Sequence, residues 1–328
     1  MYDIATFGEI LIDFTYQGEN EDGQKLFARN PGGAPANMLA AAGRLGARTA
    51  FLGKAGNDMH GRFLKETLKK EKVETRGLLL DDHYFTTLAF VDLSPAGERS
   101  FSFARKPGAD TQMTIGELDT EVLKNTRIFH VGSLSLTDEP AESATAYAVK
   151  TAKESGSVIS YDPNYRATLW TDEETAKQKM RSLIPFMDVM KISDEETELL
   201  TGEKEPEKAA EILINQGVKL AAVTLGSDGA YVRTKEGGRK VPGFKSRVAD
   251  TTGAGDSFWG GFLYKICESG KKPEEIGLEE AAGYARFANA VASLCVERRG
   301  GIPAMPYKEE VLKRLENFSV PFTACTKI

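Results

Sequence analysis

The residues best suited to carry out chemistry lie in the stretch "DTTGAGDSFWGGF", Asp250 to Phe262. Three small residues, Gly253, Ala254 and Gly255, directly precede the acid Asp256. A loop of small residues that leads into a helix presents unpaired N–H groups at the positive end of the helix dipole, where an anion can bind. A carboxylate beside that anion can take a proton from a hydroxyl that attacks it. The stretch therefore predicts an anion site with a base; the alternative is a tight turn into a packed helix.

Several further polar residues follow predicted strands or begin predicted helices. They are Asp13 in "ILIDF", Gly32, Gly33 and Asn37 in "NPGGAPAN", and Asp162, Asn164 and Arg166 in "SYDPNYRATLW". Carboxylate and amide groups can accept from and donate to vicinal hydroxyls, and paired glycines allow close backbone approach. Taken singly, each also has an ordinary structural interpretation, as a turn acid, a helix cap or a surface ion pair.

The elements that must position these residues alternate along the chain. Strand-like runs are "IATFGEIL", "TAFLGKAG", "IFHVGSLSL", "SVISYDP", "VMKIS" and "KLAAVTLG", and helical candidates are 36–45, 61–71, 141–155, 209–216, 257–269 and 279–296. Such alternation predicts an α/β fold with a mostly parallel sheet and helices on both faces. Ligands of such sheets bind beyond the carboxyl ends of the strands, which is where the polar residues fall.

Two segments break this alternation. Residues 14–31 hold no helical pattern, and 86–105 reads as two strands around the turn "SPAGE". We expect them to form a small separate β-sheet, a lid over the main sheet. In its last strand Phe101, Phe103 and Arg105 alternate onto one face, an arrangement that suits a sugar. A half-buried strand that packs on its neighbours would give the same pattern.

Composition narrows the class of protein. The 328 residues are 41% apolar and 27% charged, enough for one large α/β domain or two ordinary ones. The net charge of −6 comes without an extended basic stripe and argues against nucleic acid and anionic membranes as partners. Cys267, Cys295 and Cys325 are widely spaced and form no CxxC pair. This spacing, with no signal peptide and no membrane-length apolar run, predicts a cytoplasmic protein.

The common nucleotide motifs are missing. No Walker A sequence occurs, and no GxGxxG follows the first strand, which disfavours a dinucleotide-dependent dehydrogenase. "VTLGSDGAYV" offers a turn at Gly226 and Gly229 between two strands, and in isolation it predicts a plain hairpin.

Two spaced signatures nevertheless resemble those of the pfkB (ribokinase-like) carbohydrate kinases: "GGAPAN" with "RLG…FLGKAGND…G", and "DTTGAGDSFWGG". The intervening blocks resemble fructokinases in particular, as in "FGEILIDF", "TLAFVDLSPAGERSF", "FHVGSLSLTDEPA", "YDPNYRATLW", "KISDEETELLTG" and "RGGIPAMP". The resemblance extends to about Arg314. It implies one kinase domain over 1–328 with lid strands inserted at about 14–31 and 86–105. It also implies that the γ-phosphoryl of ATP is transferred to the 6-hydroxyl of fructose.

The resemblance assigns a role to each candidate. Asp256 would be the base, and Gly253, Ala254 and Gly255 the anion hole. The sugar would be held by Asp13, Gly32, Gly33, Asn37, Phe101, Phe103, Arg105, Asp162 and Arg166. The nucleotide would lie among Lys191, Ser193, Thr224, Gly226, Gly229 and Asn289. Glu196 ends a segment that resembles the N-x-x-E motif for Mg²⁺, with Ser193 in place of Asn. Carbonyl groups of Asp250, Thr252, Cys295, Arg298 and Gly300 would enclose K⁺.

Two alternatives remain open at this point. Within the same class, the acceptor could be another sugar or a sugar acid such as 2-keto-3-deoxygluconate, because Ala104 stands where fructokinases often carry Tyr. In a different class, the chain could be a catalytically idle sugar-binding regulator, although the intact Asp256 argues against this. A homodimer that forms through the lid is a further expectation.

Overall fold

A computed structural model of the chain describes residues 1–93 and 99–317, with side chains described for 1–91 and 102–317. The "SPAGE" turn, the Phe101 side chain and Cys325 therefore lie outside the described residues. Thirteen strands occur in the described ranges: β1 (Tyr2–Phe7), β2 (Leu11–Glu19), β3 (Lys25–Gly32), β4 (Thr49–Gly56), β5 (Leu78–Asp81), β6 (Leu88–Leu93), β7 (Arg99–Ala104), β8 (Thr126–Val131), β9 (Val158–Tyr161), β10 (Val189–Ser193), β11 (Leu220–Thr224), β12 (Ala230–Thr234) and β13 (Gly237–Val241).

Ten α-helices accompany them within the same ranges: α1 (Ala34–Leu45), α2 (Met59–Lys70), α3 (Thr120–Lys124), α4 (Ala141–Glu154), α5 (Glu173–Leu183), α6 (Thr197–Thr201), α7 (Pro206–Asn215), α8 (Ala254–Ser269), α9 (Leu278–Cys295) and α10 (Lys308–Asn317). The six predicted helices are confirmed, and most begin a few residues earlier than predicted. At α2, for example, Asp58 caps the first N–H groups ahead of the apolar positions that gave the pattern.

Nine strands form the main sheet in the order β13-β12-β11-β10-β9-β8-β1-β4-β5. The strands from β11 to β5 pair in parallel, whereas β12 is antiparallel to both of its neighbours, β11 and β13. Every residue of β4 is buried, as expected for a parallel strand with both faces covered. The predicted α/β class and the β11–β12 hairpin are confirmed.

A core packs on each face of the main sheet. On one face, Met38 of α1, Trp259 and Phe262 of α8 and Ala285 of α9 are buried together. On the other face, residues of α4, α5 and α7 cover the same strands, among them Ala148, Met180 and Leu213. These two layers fix the strands and therefore the loops at their carboxyl ends.

No helix among the described residues is long and apolar enough to cross a membrane.

The remaining four strands form the predicted small sheet, in the order β3-β2-β6-β7. The strand-like run "IATFGEIL" is not one strand as predicted. β1 ends at Phe7 and β2 begins at Leu11, because the chain leaves the main sheet there and joins the small one. Asp13 consequently lies within β2, opposite Asn30 of β3, rather than after a strand of the main sheet.

Candidate active site

A cleft of about 680 Å³ lies between the small sheet and the carboxyl ends of the central strands. Its walls come from β2, β7, the ends of β10 and β11, and the start of α8. Among the predicted site residues it is lined by Asp13, Gly33, Asn37, Phe103, Arg166, Lys191, Ser193, Glu196, Thr224, Gly226, Thr252, Gly253, Ala254, Gly255 and Asp256. Fifteen positions predicted from separate sequence blocks therefore meet in one cleft.

Asp256 lies in the first turn of α8 and is 8% exposed. Both of its carboxylate oxygens accept an amide N–H: Asn37 Nδ2 donates to Oδ2 at 2.8 Å, and Asn164 Nδ2 donates to Oδ1 at 3.1 Å. Burial raises the pKa of Asp256, against the opposing effects of the Asn37 hydrogen bond and the Lys191 charge. The arrangement holds an oriented carboxylate whose affinity for a proton is increased, which suits a general base.

Gly253 caps α8 in the left-handed conformation, with φ of 77°, a conformation that glycine adopts without strain. The first N–H groups of a helix have no partner within it, so those of this turn face the cleft or the preceding loop. The Ala254 N–H donates to Thr251 O at 3.2 Å. A Cβ atom at Gly255 would lie only 2.9 Å from Lys191 Nζ. A glycine at this position therefore lets the lysine reach the start of α8.

Lys191 and Asp162 form a buried pair, with Nζ 2.9 Å from Oδ2. Burial alone would lower the pKa of Lys191, but Asp162, Glu196 and Asp256 raise it, so the lysine stays protonated. Burial raises the pKa of Asp162 to about 7 despite this partner. One cation is thus shared among three carboxyl groups. Asp162 lies beneath the cleft and reaches it only through Lys191.

The small-sheet side of the cleft carries the predicted sugar residues. Burial raises the pKa of Asp13 to about 7, opposed by the positive charge of Arg166. A Cβ atom at Gly32 would come within 2.0 Å of Asp13 Oδ2, so a side chain there would displace the carboxylate. Gly33, with φ of 108°, begins α1 and brings Asn37 to Asp256.

Arg105 does not line this cleft. It lies against a second cavity of about 740 Å³, and Phe103 lines both spaces. The guanidinium of Arg105 is buried, with Nε donating to Asp110 Oδ2 at 2.8 Å and Nη2 to Leu134 O at 2.8 Å. The structure thus places Arg105 behind the cleft wall, where it supports Leu134, a residue of the cleft itself.

The predicted nucleotide residues occupy the other side. Glu196 is buried and accepts the Ser193 N–H and hydroxyl through Oε2, and the Tyr165 N–H through Oε1. Gly229 and Asn289 lie outside the cleft. Asn289 Nδ2 donates to Val241 O and Pro242 O, both at 3.1 Å, and a Cβ atom at Gly229 would meet Val241 O at 2.1 Å. Both residues therefore shape the chain that follows β13.

The two loops of the predicted K⁺ site are joined by Asp250. Its Oδ1 accepts the Thr252 N–H at 2.9 Å, and its Oδ2 accepts the Gly300 N–H at 3.0 Å. Cys295 Sγ lies 3.8 Å from Thr252 O, and Cys295 O accepts the Arg298 N–H at 3.0 Å. The five predicted residues are thus brought together. Within the described ranges, no group of three or more His, Cys, Asp or Glu side chains could hold a metal ion by itself.

Two cleft residues have no role in the sequence-based assignment. Glu9 is 3% exposed, accepts the Ala34 N–H at 3.1 Å, and burial raises its pKa to about 7. Asn164 contacts Asp256 and has a left-handed φ of 50°. Asn tolerates that conformation better than most residues do. The sequence feature that points to Asn164 as a site residue is its position directly after a predicted strand, in "YDPNYR".

The chain is similar to known carbohydrate kinases over nearly its whole length. A family model described as pfkB family carbohydrate kinase matches residues 1–308. The chain is 40% identical to probable fructokinase-5 of Arabidopsis thaliana over 320 residues, 96% of this chain and 98% of that protein.

Among solved structures, the chain is similar to a fructokinase of Xylella fastidiosa with bound ATP, with a TM-score of 0.90, 32% identity, and coverage of 98% of this chain and 100% of that one. It is also similar to a double mutant of the fructokinase of Vibrio cholerae O395 with fructose, ADP and potassium ion bound. That match has a TM-score of 0.86, 31% identity and coverage of 96% and 98%.

Proposed function

The chain belongs to the pfkB family of carbohydrate kinases, and we propose that it is an ATP-dependent fructokinase that phosphorylates the 6-hydroxyl of D-fructose. The observation that carries the proposal is the position of Asp256, held by two amides beside the N-terminus of α8 in a cleft large enough for a sugar and phosphates. Fructokinase relatives that match nearly the whole chain support fructose as the acceptor.

The proposed reaction uses Asp256 as the base. Its carboxylate takes the proton of the sugar hydroxyl as that oxygen attacks the γ-phosphorus of ATP. The new O–P bond forms while the bond from the γ-phosphorus to the bridging oxygen breaks, and ADP leaves with the electron pair. Positioning and charge stabilisation dominate such a transfer. The N–H groups around Gly253–Gly255 and the Lys191 ammonium lie where the transferring phosphoryl would carry its charge.

The sugar would be held on the small-sheet side. Asp13, Asn37 and Arg166 line the cleft with polar atoms, and Phe103 offers an apolar surface. Gly32 and Gly33 make room for Asp13 and for the start of α1. Arg105 and Asp162 do not line the cleft and would act indirectly, Arg105 through Leu134 and Asp162 through Lys191. The Phe101 side chain lies outside the described residues, and its role stays a prediction.

ATP would occupy the other side, among Lys191, Ser193, Thr224 and Gly226, with Gly229 and Asn289 shaping the chain after β13. The residues present fit Mg²⁺, because Glu196 and its exposed neighbours Asp194 and Glu195 line the cleft with the oxygen donors that this ion prefers. Mg²⁺ would neutralise charge on the phosphates, with most of its remaining ligands from ATP and water.

A monovalent cation also fits. The loops that hold Asp250, Thr252, Cys295, Arg298 and Gly300 are tied together by the Asp250 carboxylate, and the first of them ends at the turn into α8. Their carbonyl oxygens, each with two lone pairs, suit K⁺. The potassium ion in the Vibrio fructokinase structure supports this proposal.

We further propose that two copies associate through the small sheet. In β2, Asp13 and Thr15 line the cleft, so the alternating Phe14 and Tyr16 point to the opposite face. There Phe90 stacks on Phe14 at 5.2 Å and meets Phe27 at 6.2 Å, and Phe27 and Phe90 remain 36% and 38% exposed. A clustered aromatic face of this kind is typical of an interface. Sedimentation of the wild type and of Phe27→Ser tests this, because a dimer should dissociate in the variant.

Coupled ADP release across a panel of sugars tests the activity. Fructose should give the highest kcat/KM, and glucose, ribose and 2-keto-3-deoxygluconate should give much lower values. Turnover should require Mg²⁺. A higher kcat/KM for 2-keto-3-deoxygluconate would make the chain a sugar-acid kinase. Binding of fructose without any ADP release would make it a sugar-binding regulator.

The cytoplasmic location of the protein stays a prediction.

A further inference from the structure

The segment after β9 contacts a different part of the chain at nearly every residue. Asp162 pairs with Lys191, Pro163 O accepts the Ser133 N–H at 3.1 Å, and the Tyr165 N–H donates to Glu196. Between them Asn164 donates to Asp256. One short segment thus connects the lysine, the base and the acid proposed for Mg²⁺.

This pattern of contacts depends on the backbone at Asn164. Its φ of 50° turns the chain, so that Asp162 and Asn164 reach partners on different elements, β10 and α8. Left-handed conformations cost most side chains stability and, where they occur away from glycine, often mark a functional site. Asn164 keeps this conformation while its amide is used on the base and its side chain lines the cleft.

We propose that Asn164 is a positioning residue that, together with Asn37, sets the orientation of the Asp256 carboxylate for the sugar hydroxyl. The two amides donate from different elements, Asn37 from α1 and Asn164 from the segment after β9, and each takes a different oxygen. The carboxylate plane is therefore fixed from both sides. Each oxygen keeps a further lone pair, one of which can accept the hydroxyl proton.

The same amide also favours the ionised form of the base, since a donor to a carboxylate stabilises its charge. The other groups that act on Asp256 are Lys191 of β10, Arg166 and Asp162 after β9, Asp13 of β2 and Cys295 of α9. Substitution of Asn164 removes none of these groups. Loss of its amide should therefore raise the pKa that governs the acidic limb of the rate profile.

The inference rests on the proposed function only in that Asp256 is the base, and it is tested with whichever sugar the wild type phosphorylates. Asn164→Gly removes the amide and accepts φ of 50° without strain, whereas Asn164→Ala removes the amide and is strained. Both should lower kcat to a similar extent, on the order of ten- to a hundred-fold, because of base misplacement. In both, the acidic limb of kcat/KM should move to higher pH.

Controls separate this role from a structural one. The Ala variant should have the lower Tm, yet the two variants should share the same kinetic defect. Lys72, the other left-handed non-glycine residue in the described ranges, gives the matched control Lys72→Gly, which should keep wild-type rates. Wild-type kcat and pH profile in Asn164→Gly would overturn the proposal and leave a purely backbone role. A raised KM for the sugar with kcat intact would also overturn it, by making Asn164 a sugar ligand.

Discussion

Lys191 Nζ lies 2.9 Å from Asp162 Oδ2, with the two side chains 6% and 4% exposed, at the floor of the cleft beside Gly255. A buried ammonium at this point places a fixed positive charge next to the N-terminus of α8, where the transferring phosphoryl would lie. The carboxylate beneath it compensates the charge when no phosphate is bound. The pair is therefore expected to contribute both to the stability of the protein and to phosphoryl transfer.

Lys191→Met should separate these two contributions. Loss of the cation should lower kcat by about 10²–10³-fold, the range seen when one donor to a developing oxyanion is removed. Asp162 would be left buried without its partner, so the free energy of unfolding should also fall. Steady-state kinetics and urea unfolding measure the two effects.

The double variant Lys191→Met/Asp162→Asn provides the control. It removes the uncompensated carboxylate, so stability should recover while kcat stays low. Recovery of kcat together with stability would show that Lys191 acts on the fold alone.

Asp256→Asn should retain the fold and ATP binding but lose phosphotransfer. The amide cannot take the hydroxyl proton, and loss of a general base costs about 10²–10⁴ in rate. Isothermal titration with a non-hydrolysable ATP analogue and the ADP-release assay check the two halves of this expectation. A kcat near that of the wild type would exclude the role of Asp256 as the base.

The sequence predicted much of this site because its signals are local. The small residues before Asp256 fix both a helix start and its chemistry, and the α/β alternation places the later strand ends at one edge. The sequence misplaces Asp13 because "IATFGEIL" reads as one strand, and only the pairing of Leu11–Glu19 with β3 and β6 shows that the chain changes sheet. Periodicity carries no information on such a switch.

Contacts between distant segments could not be predicted either. Alternation predicts that Arg105 shares a face with Phe103, but β7 ends at Ala104 and the position of the guanidinium depends on Asp110 and on Leu134. Likewise, the contact between Asn164 and Asp256 joins residues 92 positions apart. These choices depend on tertiary packing rather than on local pattern.

Arg105→Ala should weaken sugar binding and leave nucleotide affinity nearly unchanged. Its loss leaves the buried Asp110 carboxylate with the Thr87 hydroxyl as a donor but without a positive charge beside it. The two side chains of the pair are 3% and 1% exposed, and breaking such a buried pair typically costs about 3–5 kcal/mol. Calorimetry with each ligand and thermal unfolding measure the effects. As a control, Arg105→Met/Asp110→Leu should regain stability. A parallel fall in both affinities would instead make Arg105 a general structural residue.

The stability of the ligand-free protein should fall as pH rises from about 4 to about 7. Burial raises the pKa of Asp13 from 3.8 to about 7, so the folded state holds this proton more tightly than the unfolded state does. The stabilisation is fully present below the unfolded pKa and is lost as pH passes the folded value. Asp13→Asn should reduce the difference in unfolding free energy between pH values of about 5 and 8 by about 1–3 kcal/mol.

Urea unfolding at both pH values tests this expectation. Glu154→Gln, at an exposed surface position, is the matched control and should leave the pH dependence unchanged. An unaltered pH dependence in Asp13→Asn would show that Asp13 does not change its protonation between these pH values in the folded protein, and that other carboxyl groups such as Glu9 are responsible.

Replacement of K⁺ by a bulky organic cation should lower kcat several-fold, roughly a kcal/mol of barrier. One of the two loops joined by Asp250 runs directly into Gly253, so an ion bound by their carbonyl groups would fix the N–H groups that receive the phosphoryl. The effect should fall on turnover, with little change in Tm. Ionic strength must stay constant, because general screening would otherwise imitate the result.

The Asp250→Ala variant extends this test to the loops themselves. Its carboxylate accepts from Thr252 and Gly300, so its loss should release these two residues from each other and reduce the response of kcat to K⁺, while the backbone bonds to Val296 O keep the loops together. The control variant is Asp172→Asn. Asp172 lies outside both loops, and asparagine also caps helices well, so this variant should respond to K⁺ as the wild type does. Equal wild-type rates in K⁺ and in the bulky cation, with residual K⁺ removed, would show that the loops are structural and bind no activating ion.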